Sequence, residues 1–319
     1  MAAELREPDV LMPDVLISDV ALRDGLQDED VVVPTAAKLG LAHGLLAAGV
    51  RSLEVGSFVH PDRVPQMADT DRLLHALSNG VATGATLHTL VFNDRGARRA
   101  IAAGARSVRV VVSAGDGHSR ANAGVGTVEA LDRLQSSIAI LHDGGVAVEA
   151  CIATAFVCPF DGDIPPGTVA HLATRLAAMG AGVVHLADTV GAAHPSQIGR
   201  TVATVRDACP DLPLGLHLHN SYGMASAAAW TALQLGVRRF DAALGGLGGC
   251  PFAPGASGNV ATDDLVHLLH REGLDTGIDS QLLADVRDHL RTAVGHELAS
   301  ALARVPAPPA QRPRPAAQG

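Results

Sequence analysis

Short apolar runs with the character of β-strands alternate with longer runs of helical spacing along most of the chain. The strand candidates are Val15–Val20, Ser52–Gly56, Ala85–Phe92, Ser107–Ser113, Ala147–Thr154, Val183–Ala187, Leu214–His219 and Arg239–Ala243. Between them lie Ala- and Leu-rich stretches such as Pro34–Ala48, Thr127–His142, Pro165–Met179 and Pro195–Ala208. Several open with Pro or Thr and close near a glycine (Gly49, Gly144, Gly180), the residues that start and stop helices. Eight such strand-then-helix units predict an α/β fold, a TIM (β/α)8 barrel with appended C-terminal helices. A doubly wound sheet gives a similar alternation, and the placement of polar residues separates the two. The expected division is an N-terminal extension over 1–14, the barrel over 15–273 and a helical region over 274–304, helical from Asp279 to Arg304. The Pro-rich tail over 305–319 is expected to be disordered.

In a parallel barrel, catalytic groups sit where strands end and the following loops begin. Unusual polar residues fall at those points here. The first strand runs into Arg23 and Asp24, the second carries Glu54 and the sixth ends at Asp188. The seventh reads Leu216-His217-Leu218-His219, and the eighth runs into a glycine-rich loop containing Cys250 and Asn259. Residues two apart on a strand share a face, so His217 and His219 project together into the interior while Leu216 and Leu218 face the helices. Two imidazoles form half of a metal site, and Asp24, on a first strand expected to neighbour the seventh, supplies a carboxylate. With the Asn259 amide oxygen the set is mixed oxygen and nitrogen without thiolate, unlike structural zinc. Such a set suits Mg²⁺ or Mn²⁺, with Zn²⁺ or Co²⁺ also accommodated by imidazole.

Arg23, beside a metal ligand, is a candidate oxyanion stabiliser; the plainer reading is a salt bridge to Glu54 or Asp188, and both can hold. Glu54 and Asp188 are candidate supports that orient Asp24, Arg23 or a ligand water. The loop from Gly245 to Asn259 reads either as a flexible connector with an ordinary thiol or as a mobile lid carrying a reactive Cys250 over the barrel mouth. It matches neither nucleotide-binding glycine pattern. His43, His75, His142, His171 and His270 lie in helical stretches and are expected at the surface.

Composition narrows the classes. A 319-residue chain that is 47% hydrophobic and 18% charged can bury a sizeable core. Its net charge of −9 and pI near 5.9 argue against a nucleic-acid binder. None of the four cysteines (Cys151, Cys158, Cys209, Cys250) forms a C-x-x-C pair, which reads as a reduced cytoplasmic protein. The first residues lack the apolar run of a secretory signal, and no uninterrupted apolar stretch has membrane-spanning length, so no membrane partner is expected.

The segments from Arg23 to Glu29 (RDGLQDE), Glu54 to Asp69 (EVGSFVHPDRVPQMAD), Ala187 to Pro195 (ADTVGAAHP), His217 to Ala225 (HLHNSYGMA) and Gly245 to Leu269 resemble the 3-hydroxy-3-methylglutaryl-CoA lyase family of the DRE-TIM metallolyases. The likeness runs from about Ile17 to Ile278, and its GGCP loop marks the lyase branch rather than the related condensing enzymes. The resemblance implies Asp24, His217, His219 and Asn259 as ligands of a divalent cation, Mg²⁺ or Mn²⁺. It implies Arg23 as stabiliser of an enolate oxygen and Cys250 as the acid that protonates the acetyl product. His217 or Asp24 becomes the base for the substrate hydroxyl, and Glu54 and Asp188 become supporting groups. The implied activity is retro-Claisen cleavage of a 3-hydroxy-3-methylglutaryl-CoA-like thioester to acetyl-CoA and acetoacetate. A homodimer is implied too, with the region after Gly273 as its interface.

The chain departs from the family pattern in three places. Asp30 stands where a lysine often follows the RDGLQ motif, and Lys38 is the only lysine, so any CoA diphosphate must be met by arginine or backbone N–H groups. Asn220-Ser221 replaces an Asp-Thr pair, and Ser113–Gly124 keeps only a general likeness. Those departures leave open a longer 3-alkylglutaryl or a citramalyl substrate. A Claisen-condensing or aldolase enzyme of the same barrel, and a non-catalytic metal-binding barrel, are the remaining alternatives.

Overall fold

The structure is a computed structural model that describes residues 13–80, 84–249 and 258–305. The strands, in chain order, are β1 (Leu16–Asp19), β2 (Ser52–Ser57), β3 (Thr86–Val91), β4 (Ser107–Ser113), β5 (Ala147–Ala153), a hairpin of β6 (Val157–Cys158) and β7 (Gly162–Asp163), β8 (Val183–Asp188), β9 (Leu214–Leu218) and β10 (Arg239–Ala242). All but the hairpin pair in parallel and close into a barrel, with β1 hydrogen-bonded to both β2 and β10. Each of the eight expected strands is present, within a residue or two of its expected ends.

The helices follow their strands: α1 (Thr35–Ala47), α2 (Thr70–Gly80), α3 (Asp94–Ala102), α4 (Asp116–Ala123), α5 (Thr127–Asp143), α6 (Pro166–Ala178), α7 (Pro195–Ala208), α8 (Ala225–Gln234), α9 (Thr262–Arg271) and α10 (Ser280–Val294). Leu216 and Leu218 point outward into the layer between barrel and helices, where both are fully buried. Alternation along β9 therefore turns His217 inward, as its sequence requires.

Two expectations about the periphery change. The C-terminal helical stretch was expected to reach Arg304, and α10 ends at Val294, where Gly295 takes a left-handed cap (φ +78°). The chain then crosses the barrel top without helix. The Ser300 amide donates to the Gly245 carbonyl, and the Ala301 and Leu302 amides donate to Asp264. Nor does this region stand apart: Leu283, Val286, Leu290, Val294 and Leu298 belong to the same apolar core as the barrel. Most of the expected N-terminal extension and Pro-rich tail lies outside the described residues.

The barrel interior differs from the branched aliphatic filling usual for this architecture. Ser18, Ser52, His88, Arg109, Glu149, His185 and Asp241 project into it from seven strands. Gly215, two residues before His217 and on the same face, makes room for them, because a Cβ there would run into the His185 ring.

Candidate active site

Beyond β1 the backbone widens into a single π-helical turn, Ala21–Gly25, closed by the Gly25 amide donating to the Val20 carbonyl at 3.1 Å. Such turns are rare and recur at functional sites because they re-aim adjacent side chains. This one points Arg23 and Asp24 at the barrel axis. It is anchored from below by the buried Asp19 carboxylate, which accepts from the Ala21 amide at 2.9 Å and the Thr262 hydroxyl at 2.6 Å. Thr262 begins α9, so one carboxylate ties the turn to the segment bearing Asn259.

That segment, 258–261, lies across the ends of β9 and β10. The Asn220 amide donates to the Gly258 carbonyl at 2.8 Å, the Val260 amide to the Leu218 carbonyl at 2.8 Å and the Ala243 amide to the Val260 carbonyl at 3.0 Å. Asn259 is thereby held opposite His219.

Asp24, His217 and His219 converge. The two imidazole Nε2 atoms are 3.2 Å apart, and Asp24 Oδ2 lies 3.6 Å from that of His217 and 3.5 Å from that of His219. Among the described residues this is the one group of three or more His, Cys, Asp or Glu side chains whose donor atoms gather this closely. A point equidistant from the three atoms lies about 2 Å from each, the bond length of a first-row divalent ion to imidazole or carboxylate. Asn259 donates through Nδ2 to Asp24 Oδ2 at 2.8 Å, which leaves its buried Oδ1 without a hydrogen-bond partner among the described residues. A buried carbonyl oxygen left this way is costly unless something electropositive meets it. The residues present therefore fit a divalent cation.

The electrostatics agree. Burial works against a charge on Asp24, but Arg23, His217 and His219 outweigh it and hold the carboxyl well below the usual range. Burial also opposes a charge on His217, and hydrogen bonds to Asp24 and Asp241 overcome it, pushing the imidazole up to about 9. A site that concentrates negative charge enough to retain a proton there attracts a cation for the same reason.

Arg23 sits at the rim. Its Nε and Nη2 both meet Glu54 Oε2 at 2.7 Å, and Nη1 pairs with Asp24. Desolvation opposes its charge, but the two carboxylates more than compensate, so it remains a fixed cation. Of the two acids expected beside it, only Glu54 is there. Asp188 instead accepts the amides of Ala192 at 3.2 Å and Ala193 at 3.0 Å in its own loop; its carbonyl accepts from the His219 amide at 3.3 Å, and its carboxylate lies within electrostatic reach of His219. Burial, partly offset by those amides, pushes Asp188 up to about 6. A second correction concerns Asp24: β10 lies between β9 and β1, so these strands are not neighbours. Asp24 reaches the histidines because the π-turn carries it over the barrel mouth. Cys250 lies outside the described residues.

Residue by residue, then, the structure brings Arg23, Glu54, Asp24, His217, His219 and Asn259 together, and the five histidines assigned to helices are exposed. Profile comparison places residues 14–290 in the family described as HMGL-like. The chain belongs to the HMGL-like family. It is a carbon–carbon lyase, an acyl-CoA lyase of that family. It is 43% identical over 286 residues to the (R)-citramalyl-CoA lyase of Chloroflexus aurantiacus, an alignment covering 87% of this chain and 90% of the relative. It is 38% identical to the hydroxymethylglutaryl-CoA lyase of Pseudomonas mevalonii, covering 86% and 90%. An Acinetobacter baumannii HMG-CoA lyase, solved in complex with coenzyme A and 3-methylmalate, superposes with a TM-score of 0.86 at 36% identity, over 94% of this chain and 98% of that one. Among the described residues no helix is long and apolar enough to cross a membrane.

Reading the sequence missed the family member's buried charges. Arg109, Glu149, His185 and Asp241 each take an inward position on a barrel strand. That parity was the available signal.

Proposed function

We propose that the protein is a divalent-metal-dependent lyase that cleaves the C2–C3 bond of a 3-hydroxy-3-methylglutaryl-CoA-like thioester, releasing acetyl-CoA and a 3-oxo acid. The observation that carries this reading is the three-atom cage of Asp24, His217 and His219, with the orphaned Asn259 oxygen and a locked Arg23 at its rim. A divalent ion held by Asp24, His217, His219 and Asn259, Mg²⁺ or Mn²⁺ by its donor set, would supply Lewis-acid polarisation of the substrate's hydroxyl and carboxylate.

The chain's own groups do the rest. Asp24, through the carboxylate oxygen not given to the ion, is the base available to take the C3 hydroxyl proton, because His217 has Nε2 turned to the ion and Nδ1 to Asp241. As that O–H bond breaks, its electron pair forms the new carbonyl, the C2–C3 bond breaks, and its pair passes to C2 as the acetyl-CoA enolate. Arg23, fixed by Glu54, stabilises the enolate oxygen without having to reorganise. Cys250 delivers a proton to C2. Lys38 is not available to the CoA phosphates, because it is buried and ion-paired to Asp69 at 2.7 Å.

A second substrate has a specific observation in its favour: a relative 43% identical to this chain is named for (R)-citramalyl-CoA. The solved relative's 3-methylmalate is likewise a hydroxy-dicarboxylate. With a citramalyl thioester the same bond cleavage releases pyruvate in place of acetoacetate.

The test offers both esters to EDTA-treated protein before and after Mg²⁺ or Mn²⁺ is restored, with Cys250→Ala alongside. Acetyl-CoA release is measured, and acetoacetate or pyruvate identifies the substrate. Metal-dependent release that collapses in Cys250→Ala is expected. Release that survives in Cys250→Ala assigns the protonation elsewhere and favours the condensing alternative. Absence of both turnover and metal binding sinks the proposal.

A further inference from the structure

The cage does not stand alone on its strand. The register of β9 and β10 sets Asp241 directly beside His217, and both side chains turn inward. Asp241 Oδ2 lies 3.3 Å from His217 Nδ1, on the side of the ring opposite the Nε2 that faces Asp24 and His219. The carboxylate is itself fixed from below. Arg109 Nη2 meets its Oδ1 at 3.0 Å, and His185 Nδ1 approaches its Oδ2 at 3.3 Å. Arg109 and His185 are held in turn by Glu149, at 3.1 Å and 3.3 Å. Asp241 is almost wholly buried, so this is a charge with no solvent to relax into.

An imidazole can bind a cation through Nε2 only if that nitrogen is bare, which requires the proton on Nδ1. A carboxylate placed at Nδ1 fixes that tautomer, orients the ring and makes the far nitrogen a better donor. We infer that Asp241 is the positioning residue for His217, and that the Arg109–Glu149–His185 cluster filling the barrel below holds Asp241 in place. The inference rests on the metal reading under the proposed function. It assigns a role to the buried charges that the bond-cleaving chemistry does not use. It also accounts for their presence inside a barrel, where desolvating them is expensive.

The test compares metal-depleted wild type with Asp241→Asn by titration with Mn²⁺, following binding by calorimetry and free Mn²⁺ by electron paramagnetic resonance, with melting of the metal-free proteins measured in parallel. Asp241→Asn keeps the shape of the side chain and is expected to weaken Mn²⁺ binding about 10- to 100-fold, the usual effect of removing such a partner. A lowered melting temperature with Mn²⁺ affinity within about twofold of wild type would make Asp241 merely structural and overturn the inference. Should the single variant fail to fold because Arg109 is left uncompensated, the Asp241→Asn/Arg109→Gln double variant removes both charges together. Weak Mn²⁺ binding by a folded double variant supports the inference, and wild-type affinity overturns it. If wild type itself binds no Mn²⁺, the metal reading has failed and this inference falls with it. If wild type binds and Asp241→Asn binds equally well, only the inference fails.

Discussion

The chemistry of this protein is set by side chains that share counter-charges. Arg23 divides its guanidinium between Glu54 and Asp24, so it faces the substrate as a rigid cation rather than a mobile one. Losing a preorganised donor of this kind costs about 2.7–4 kcal/mol of transition-state stabilisation, or roughly 10²–10³ in kcat. Arg23→Gln should show that loss in steady-state cleavage at saturating Mn²⁺. Its Mn²⁺ affinity should be no weaker than wild type, because a positive group beside Asp24 has been removed. A variant that loses Mn²⁺ binding together with turnover would instead make Arg23 a scaffold for Asp24. The legibility of these residues was uneven. Asp24, His217 and His219 stood out because two imidazoles on one face of a strand, at the mouth of a barrel, form half of a cation's ligand set. Asn259 was found through its loop, whereas Asp241 looked like an ordinary strand residue. Asp188 does not meet Arg23, and nothing in its neighbourhood along the chain says that it accepts two amides of the very next loop.

At the scale of elements, the site depends on one turn and one short segment being tied together. The first strand ends in a π-turn, and the buried Asp19 carboxylate joins it to the start of α9 through Thr262. Burial pushes Asp19 up to about 6, against the Thr262 and Ala21 hydrogen bonds that hold it down. Thr262→Val removes one of those donors while keeping the volume. It should destabilise the protein by about 1–3 kcal/mol in urea unfolding, the usual cost of leaving a buried polar group short of a partner. Mn²⁺ binding should weaken as well, because Asp24 and Asn259 sit on the two pieces that Thr262 joins. Unchanged stability and affinity would show the tie to be dispensable. The sequence marked both pieces as loops at strand ends, but a π-turn has no composition that distinguishes it from any other turn. For the same reason, the placing of Asp24 next to the seventh barrel strand was wrong in its route and right in its destination.

Across the whole molecule, the barrel interior titrates. Burial opposes a charge on His185, and Asp241 and Glu149 outweigh it, pushing the imidazole up to about 9 from an unfolded value of 6.5. A base whose pKa is raised by folding stabilises the native state fully below its unfolded pKa and loses that contribution as pH rises through the folded one. Metal-free wild type should therefore lose stability steadily between about pH 6.5 and about 9, with His217 contributing in the same window. His185→Gln, lacking one of the two titrating rings, should show a shallower decline when melting is followed across that range in EDTA. An equal slope in both proteins would mean that His185 is not charged in the fold. Nearby His88 acts oppositely: burial, reinforced by Arg109, pushes it down to about 3, and it stays neutral between Ser52 and Ser107 at 2.9 and 2.8 Å.

The barrel, its eight strands and most of the residues at its mouth are legible along the chain. Each follows from periodicity: period two decides which face of a strand is wet or dry, and apolar runs between glycine and proline decide where elements start and stop. Which residue meets which across the closed barrel could be read from the fold alone. The partners of Arg23, the route by which Asp24 reaches two histidines on a strand it does not touch, and the charged cluster beneath His217 all join residues from well-separated stretches of the chain. Closing a parallel barrel sets those distances, and no local pattern along the chain encodes them.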